Sequence, residues 1–209
     1  AWPAIRASLP CAYERMHVWP REGTARGAGA LSFDAAALHE PDLGHIVENR
    51  VLQSAALAAF AAAGGRLVAA SLTALSFDAQ GARAALQGDA APASLRARLV
   101  VGADGARSIV RRLAGLEARV EDYLQLGVVA RVRPERPHEA TAWQRFLRHG
   151  TLALLPLASG ECSIVCSLPQ AEARRLLAVA PAQFEQELTA ASDGVLGALQ
   201  LTSERLAPP

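Results

Sequence analysis

The run Leu99-Val100-Val101-Gly102-Ala103-Asp104-Gly105-Ala106-Arg107-Ser108-Ile109-Val110-Arg111 brings a carboxylate, a guanidinium and a hydroxyl together around two glycines. Val100 and Val101 predict a buried strand over 95–101. Gly102 and Gly105 allow positive φ or close backbone approach, and Ser108 predicts the cap of a helix over 107–114 that Gly115 ends. Asp104 then falls at the carboxyl end of a strand, where open α/β sheets place their ligands. The dipeptide Asp104-Gly105 is also the mark of a plain turn, in which the acid orders the loop and pairs with Arg107. Both readings stand at this point.

Two further sets of residues bear on chemistry. Arg50 opens a helix over 50–63 with Gln53 one turn further on, a pair suited to a phosphate or simply to water. On the strand over 142–146, alternation sends Trp143 and Arg145 to one face and Phe146 to the other, so at most one set meets a ligand. Leu152, Leu154 and Pro156 share a face and form either an apolar wall or ordinary core. Ser108, His138 and Asp104 make no hydrolase triad, because no nucleophile elbow precedes Ser108 and capping already accounts for its hydroxyl. His39, His45, His138 and His149 are scattered, and neither a catalytic side chain nor a metal cluster is expected.

Composition removes several function classes. All 21 basic residues are Arg, which excludes a Schiff-base lysine and a P-loop lysine. A net charge of +1 with scattered arginines argues against a nucleic-acid surface. The apolar run over 51–63 is shorter than the ~20 residues of a spanning helix, and Ala1-Trp2-Pro3 is unlike a signal peptide; a cytoplasmic protein is expected. The cysteines are Cys11, Cys162 and Cys166. Four residues apart on a strand, Cys162 and Cys166 share a face and read as buried thiols rather than as a disulfide or a zinc site.

The elements that must position these residues follow from periodicity. Strands over 12–19 and 30–33 flank a glycine-rich connection over 23–29, and the helix over 50–63 stops at Gly64-Gly65. Strands over 66–70 continuing through 72–77, then 82–86 and 95–101, form an antiparallel meander leading into the Asp-Gly loop. Longer strands over 125–132, 142–146, 152–155 and 162–168 predict one sheet. Helices over 170–177 and 181–191 lie on one side of it, with Pro181 in a first turn. The fold class is α/β in the α+β sense.

The Asp-Gly string resembles the fingerprint of flavin-dependent aromatic hydroxylases. Leu43-Gly44-His45-Ile46-Val47-Glu48-Asn49-Arg50-Val51-Leu52-Gln53, Thr141-Ala142-Trp143-Gln144-Arg145-Phe146-Leu147 and Leu152-Ala153-Leu154-Leu155-Pro156-Leu157 resemble their ubiquinone-biosynthesis branch. The resemblance covers nearly the whole chain, most loosely over 1–30 and 78–95. It implies a p-hydroxybenzoate-hydroxylase-like flavoprotein, with a partial FAD-binding domain over 40–117 and a substrate-binding sheet domain over 1–39 and 118–209. It further implies FAD as cofactor, NAD(P)H as reductant, and oxygen with an aromatic ubiquinone precursor, prenylated or not, as substrates. Cofactor contacts are expected from Asp104, Gly105, Arg50, Gln53 and Arg107. Substrate contacts are expected from Phe146 as a roof and from Trp143, Leu154 and Pro156. Association with a membrane surface or with a ubiquinone-biosynthesis complex is compatible with this reading.

Two family motifs are missing. The Gly-x-Gly-x-x-Gly loop belongs upstream of everything here, and a second Gly-Asp motif belongs downstream of the equivalent of Ser203-Glu204-Arg205-Leu206-Ala207-Pro208. The expectation is the central portion of a longer enzyme, inactive alone. Hydroxylation of another aromatic ring, and a non-catalytic ligand-binding or scaffold domain, are the rival readings.

Overall fold

The computed structural model describes residues 1–8, 10–89 and 91–207. In chain order the elements are α1 (Trp2–Ala7), β1 (Cys11–Tyr13), β2 (Arg15–Trp19), β3 (Leu31–Asp34), a 3-10 turn (Ala35–Leu38), β4 (Gly44–Ile46), α2 (Asn49–Ala62), β5 (Ser71–Asp78), β6 (Gly81–Gln87), β7 (Ser94–Ala97), α3 (Ile109–Leu113), β8 (Gln125–Pro134), β9 (Thr141–Leu147), β10 (Gly150–Pro156), β11 (Cys162–Pro169), α4 (Gln170–Ala178), α5 (Pro181–Ala191) and β12 (Leu199–Leu201). They divide into two units, one of Ala1–Leu57 and Asp122–Pro209, the other of Ala58–Glu121.

The first unit is organised by a seven-stranded sheet in the order β12-β8-β11-β10-β9-β2-β3. All neighbours are antiparallel except β2 and β9, which run parallel. Strict alternation decides which face is covered: Cys162, Ile164, Cys166 and Leu168 of β11 are buried while the residues between them are not. Val128, Ala130 and Val132 of β8 and Leu152, Leu154 and Pro156 of β10 line the same side. Ala173 and Leu176 of α4 and Phe184 and Leu188 of α5 close this core. Pro181 sits in the first turn of α5, as its fixed φ favours, and Arg175 binds Glu187 with two hydrogen bonds of 2.9 and 2.6 Å that join the two helices. Burial pushes the thiols of Cys162 and Cys166 up to about 12, which makes them the inert apolar fillers that the spacing predicts.

In this unit the expected strand over 12–19 is interrupted. Residues 12–19 do not form a continuous strand but split at Glu14, whose N–H shares the Ala140 carbonyl with that of Arg15. β1 therefore leaves for a separate two-stranded sheet with β4, while β2 continues into the main sheet.

The second unit carries a three-stranded antiparallel sheet, β5-β6-β7. Its third strand is shorter than the expected 95–101. β6 begins at Gly81 and its ladder with β7 ends at Ala82↔Ala97, so no partner remains for the residues beyond. Leu99 and Val101 are consequently 76% and 73% exposed, rather than buried. Likewise residues 66–70 make no ladder, and β5 starts only at Ser71.

Candidate functional site

The Asp-Gly turn is held by its own side chains. Gly105 takes φ +84°, and a Cβ there would meet nothing within 4 Å, so the backbone stands open to an approaching ligand. At Gly102 the opposite holds, since a Cβ would lie 3.1 Å from Val110. The turn carries Asp104 back over the start of α3. Its carboxylate accepts hydrogen bonds from the Ser108 hydroxyl, from the Ile109 N–H at 2.6 Å and from the Val110 N–H at 3.2 Å. Ser108 Oγ accepts in turn from the Arg111 N–H at 3.0 Å, the N-cap predicted for it. The Ser108 hydroxyl first, and then the two backbone donors, hold the Asp104 carboxyl below its ordinary range. Arg107 is exposed and takes no part in this network. A cleft of about 490 Å³ lies beside the turn, walled by Leu75, Phe77, Val100, Gly105, Val110 and Arg111.

The other expected cofactor residues lie in the first unit. Arg50 stands in the first turn of α2, where a cation opposes the helix dipole, and its Nε donates to Glu48 Oε2 at 2.5 Å. That bond holds the Glu48 carboxyl low. Gln53 follows one turn on and is exposed. Arg50, Asn49, Val47, Leu157, Ser163 and Arg131 wall a cleft of about 660 Å³. Arg131 was not among the residues singled out by motif, although alternation around the inward Val128, Ala130 and Val132 was enough to place it on the uncovered face, opposite Ser163 in register.

The expected substrate residues divide between the two faces of the seven-stranded sheet. Trp143 pairs with Leu154 in register and lies, with Leu154 and Pro156, in the helix-covered core. Arg145 shares that face and donates to the carbonyls of Ala191 and Arg21 at 3.0 and 2.8 Å, tying the end of α5 to the sheet. Phe146 projects from the opposite face and is 48% exposed. Leu31 and Phe33, at 60% and 48%, belong to that face too, because β3 pairs them with Val18 and Met16 of β2. No metal-binding cluster occurs among the described residues, and no helix there is long and apolar enough to cross a membrane.

Residues 49–205 match the model of a family described as FAD binding domain. The ubiquinone hydroxylase UbiL of Rhodospirillum rubrum is 39% identical over 160 residues, covering 74% of this chain and 36% of the relative. The 3-demethoxyubiquinol 3-hydroxylase of Escherichia coli is 36% identical over 190 residues, covering 90% and 46%. The chain thus spans less than half the length of these curated relatives. Among solved structures, PqsL of Pseudomonas aeruginosa, described as a probable FAD-dependent monooxygenase, superposes with a TM-score of 0.74 at 19% identity, over 95% of this chain and 55% of that one. At that identity the likeness is one of fold alone. On the match over most of its length, the chain belongs to the FAD binding domain family.

Proposed function

We propose that this chain supplies the ring-binding face and the Asp-Gly cofactor loop of a FAD- and NAD(P)H-dependent hydroxylase acting on an aromatic ubiquinone precursor. The observation that carries the reading is the two-sidedness of the seven-stranded sheet. One face is sealed by α4 and α5, and the other leaves Leu31, Phe33 and Phe146 half-exposed, an apolar surface of the kind a planar ring requires. The named activities of the two curated relatives support the substrate class.

The residues present fit a flavin dinucleotide. Gly105 leaves open space beside its α-carbon, and the adjoining cleft combines apolar walls with Arg111. Bound there, FAD would supply hydride acceptance from NAD(P)H and oxygen activation for transfer to an electron-rich ring carbon. The protein's share is to bind, orient and exclude water. Asp104 shapes the turn so that the backbone around Gly105 can approach a nucleotide, and Arg107 beside it offers exposed donors for phosphates. In the first unit Arg50 and Gln53 are exposed donors of the same kind. Phe146 keeps water from the reacting ring. In this reading residues 40–117 serve the cofactor, and residues 1–39 and 118–209 serve the ring. A prenylated precursor would bring with it contact with a membrane surface.

The test is Asp104→Ala in the full-length hydroxylase carrying these residues. Retained flavin and the rate of NAD(P)H-dependent flavin reduction should both fall. Unchanged flavin content and reduction rate would remove Asp104 from the cofactor site and leave its carboxylate as an acceptor for the first backbone N–H groups of α3.

A further inference from the structure

We propose that Gln144 is the polar anchor of the uncovered face of the seven-stranded sheet: its carboxamide hydrogen-bonds a hydroxyl group on the aromatic ring and so selects phenolic rings over bare ones. This rests on the ring-binding role proposed above for that face.

The argument starts from register. Alternation puts Gln144 on the same face of β9 as Phe146, away from the core that takes Trp143. Strand pairing carries that position across the sheet. In the order β3-β2-β9-β10-β11-β8 the row reads Leu31, Val18, Gln144, Ala153, Val165 and Val129. Every member but one is aliphatic, and the exception, near the middle, is an amide. No charged side chain stands in the row.

The hydrogen-bonding groups of Gln144 are uncommitted. On the same strand the Thr141 hydroxyl donates to the Glu139 carbonyl at 3.0 Å and Arg145 donates to those of Ala191 and Arg21, whereas the Gln144 carboxamide bonds none of the described residues. Its side chain is half-buried, and its amide atoms, unlike the sealed indole nitrogen of Trp143, remain accessible. An accessible amide is satisfied by water. A ring laid on this row displaces that water, and an amide left unpaired beneath an apolar ring opposes binding. A ring hydroxyl removes the penalty, because the carboxamide oxygen accepts from its O–H and the NH₂ group donates to its oxygen. Sites built around such a bond reject the analogue that lacks it. The scale agrees: side chains two apart on a strand stand about 7 Å apart, so a ring packed on Phe146 brings an edge substituent to Gln144. A hydroxyl is selected over a carboxylate, since neither the amide nor the aliphatic row supplies a charge to balance one. The hydroxyl that anchors the ring also makes its carbons electron-rich, as oxygen transfer requires.

The test measures binding to the full-length hydroxylase carrying these residues, by equilibrium dialysis without NAD(P)H. The probes are p-cresol and p-xylene, which has a methyl group in place of the hydroxyl. The quantity read is the ratio of the two affinities, and comparing it between variants cancels the general apolar attraction of the ring. Gln144→Met, close in size but without the amide, should lower the ratio about 10-fold. Gln144→Glu, which keeps an acceptor for the phenol, should retain most of it. Phe146→Ala should weaken both probes alike and keep the ratio. A ratio unchanged in Gln144→Met overturns the proposal, as does failure of the unsubstituted enzyme to bind p-cresol saturably. Weaker binding in Phe146→Ala together with an unchanged ratio in Gln144→Met rejects the anchor alone, whereas no effect of either substitution removes the ring-binding reading of this face as well.

Discussion

β11 and residues 99–101 are both rich in aliphatic side chains, yet they end in opposite situations. In β11 the buried Cys162, Ile164, Cys166 and Leu168 alternate with the less buried Ser163, Val165 and Ser167, and the strand is hydrogen-bonded to β8 on one side and β10 on the other, with Cys162 and Ile164 wholly buried. Residues 99–101 run Leu-Val-Val without alternation, make no ladder, and leave Leu99 and Val101 about three-quarters exposed. An alternating strand needs cover on one face only, and α4 and α5, which follow β11 directly in the chain, provide it. A continuous apolar run needs cover on both faces and a neighbouring strand, and the second unit provides neither.

The largest effect should come from breaking the cover of the alternating sheet. Phe184→Ala, which empties a fully buried site between α5 and the sheet, should cost about 3–5 kcal/mol in chemical denaturation of the chain. A loss below about 1 kcal/mol would mean that the helices do not seal this face.

Next is pH. Because burial raises Cys162 and Cys166 to about 12, the folded chain keeps thiol protons that the unfolded chain, with thiols near ~8.5, has lost. The unfolded state is favoured as pH rises, so stability should fall from about pH 9 toward pH 12, and Cys162→Ala with Cys166→Ala should flatten that slope. A flat profile for the unsubstituted chain would place these thiols in water.

In the second unit effects should be smaller. Ser108→Ala removes the cap of α3 and should cost about 1 kcal/mol. The Asp104 carboxyl, held low by Ser108 and the α3 backbone, gives stability that is present above the unfolded carboxyl range and lost as pH falls through its lowered value. Asp104→Asn should blunt that acid sensitivity without moving the neutral-pH midpoint of the first unit. Smallest of all, Leu99→Ala and Val101→Ala should change stability by no more than about 0.5 kcal/mol. A cost of 2 kcal/mol or more, on the scale of a buried aliphatic side chain, would show that these side chains are covered in solution.

The same contrast explains what was legible in the sequence. Alternation placed β8, β10 and β11 in one sheet and Cys162 and Cys166 on one face, and Pro181 marked the start of α5, because each signal depends on neighbours close in the chain. Ser108 was readable as a cap for the same reason. The break at Glu14 was not, since it depends on Ala140, far along the chain. The end of β7 at Ala97 was set by where β6 begins, not by the residues that follow it. In the site, spacing separated Phe146 from Trp143 correctly, whereas Leu154 and Pro156 could be assigned to core or ligand wall only once the covered face was known. Nor could spacing show that the Asp104 carboxylate turns back onto Ser108, Ile109 and Val110.

The two faces of the sheet give the most direct test of the proposed function. In the full-length hydroxylase carrying these residues, NAD(P)H oxidation and hydroxylated product are measured side by side for Phe146→Ala, on the open face, and Leu154→Val, on the covered one. The expected result is that Phe146→Ala lowers product formed per NAD(P)H oxidised, with the difference recovered as hydrogen peroxide, while Leu154→Val keeps the unsubstituted ratio despite a small loss of stability. Full coupling in Phe146→Ala, or equal uncoupling in Leu154→Val, would contradict the assignment of the open face to the aromatic ring.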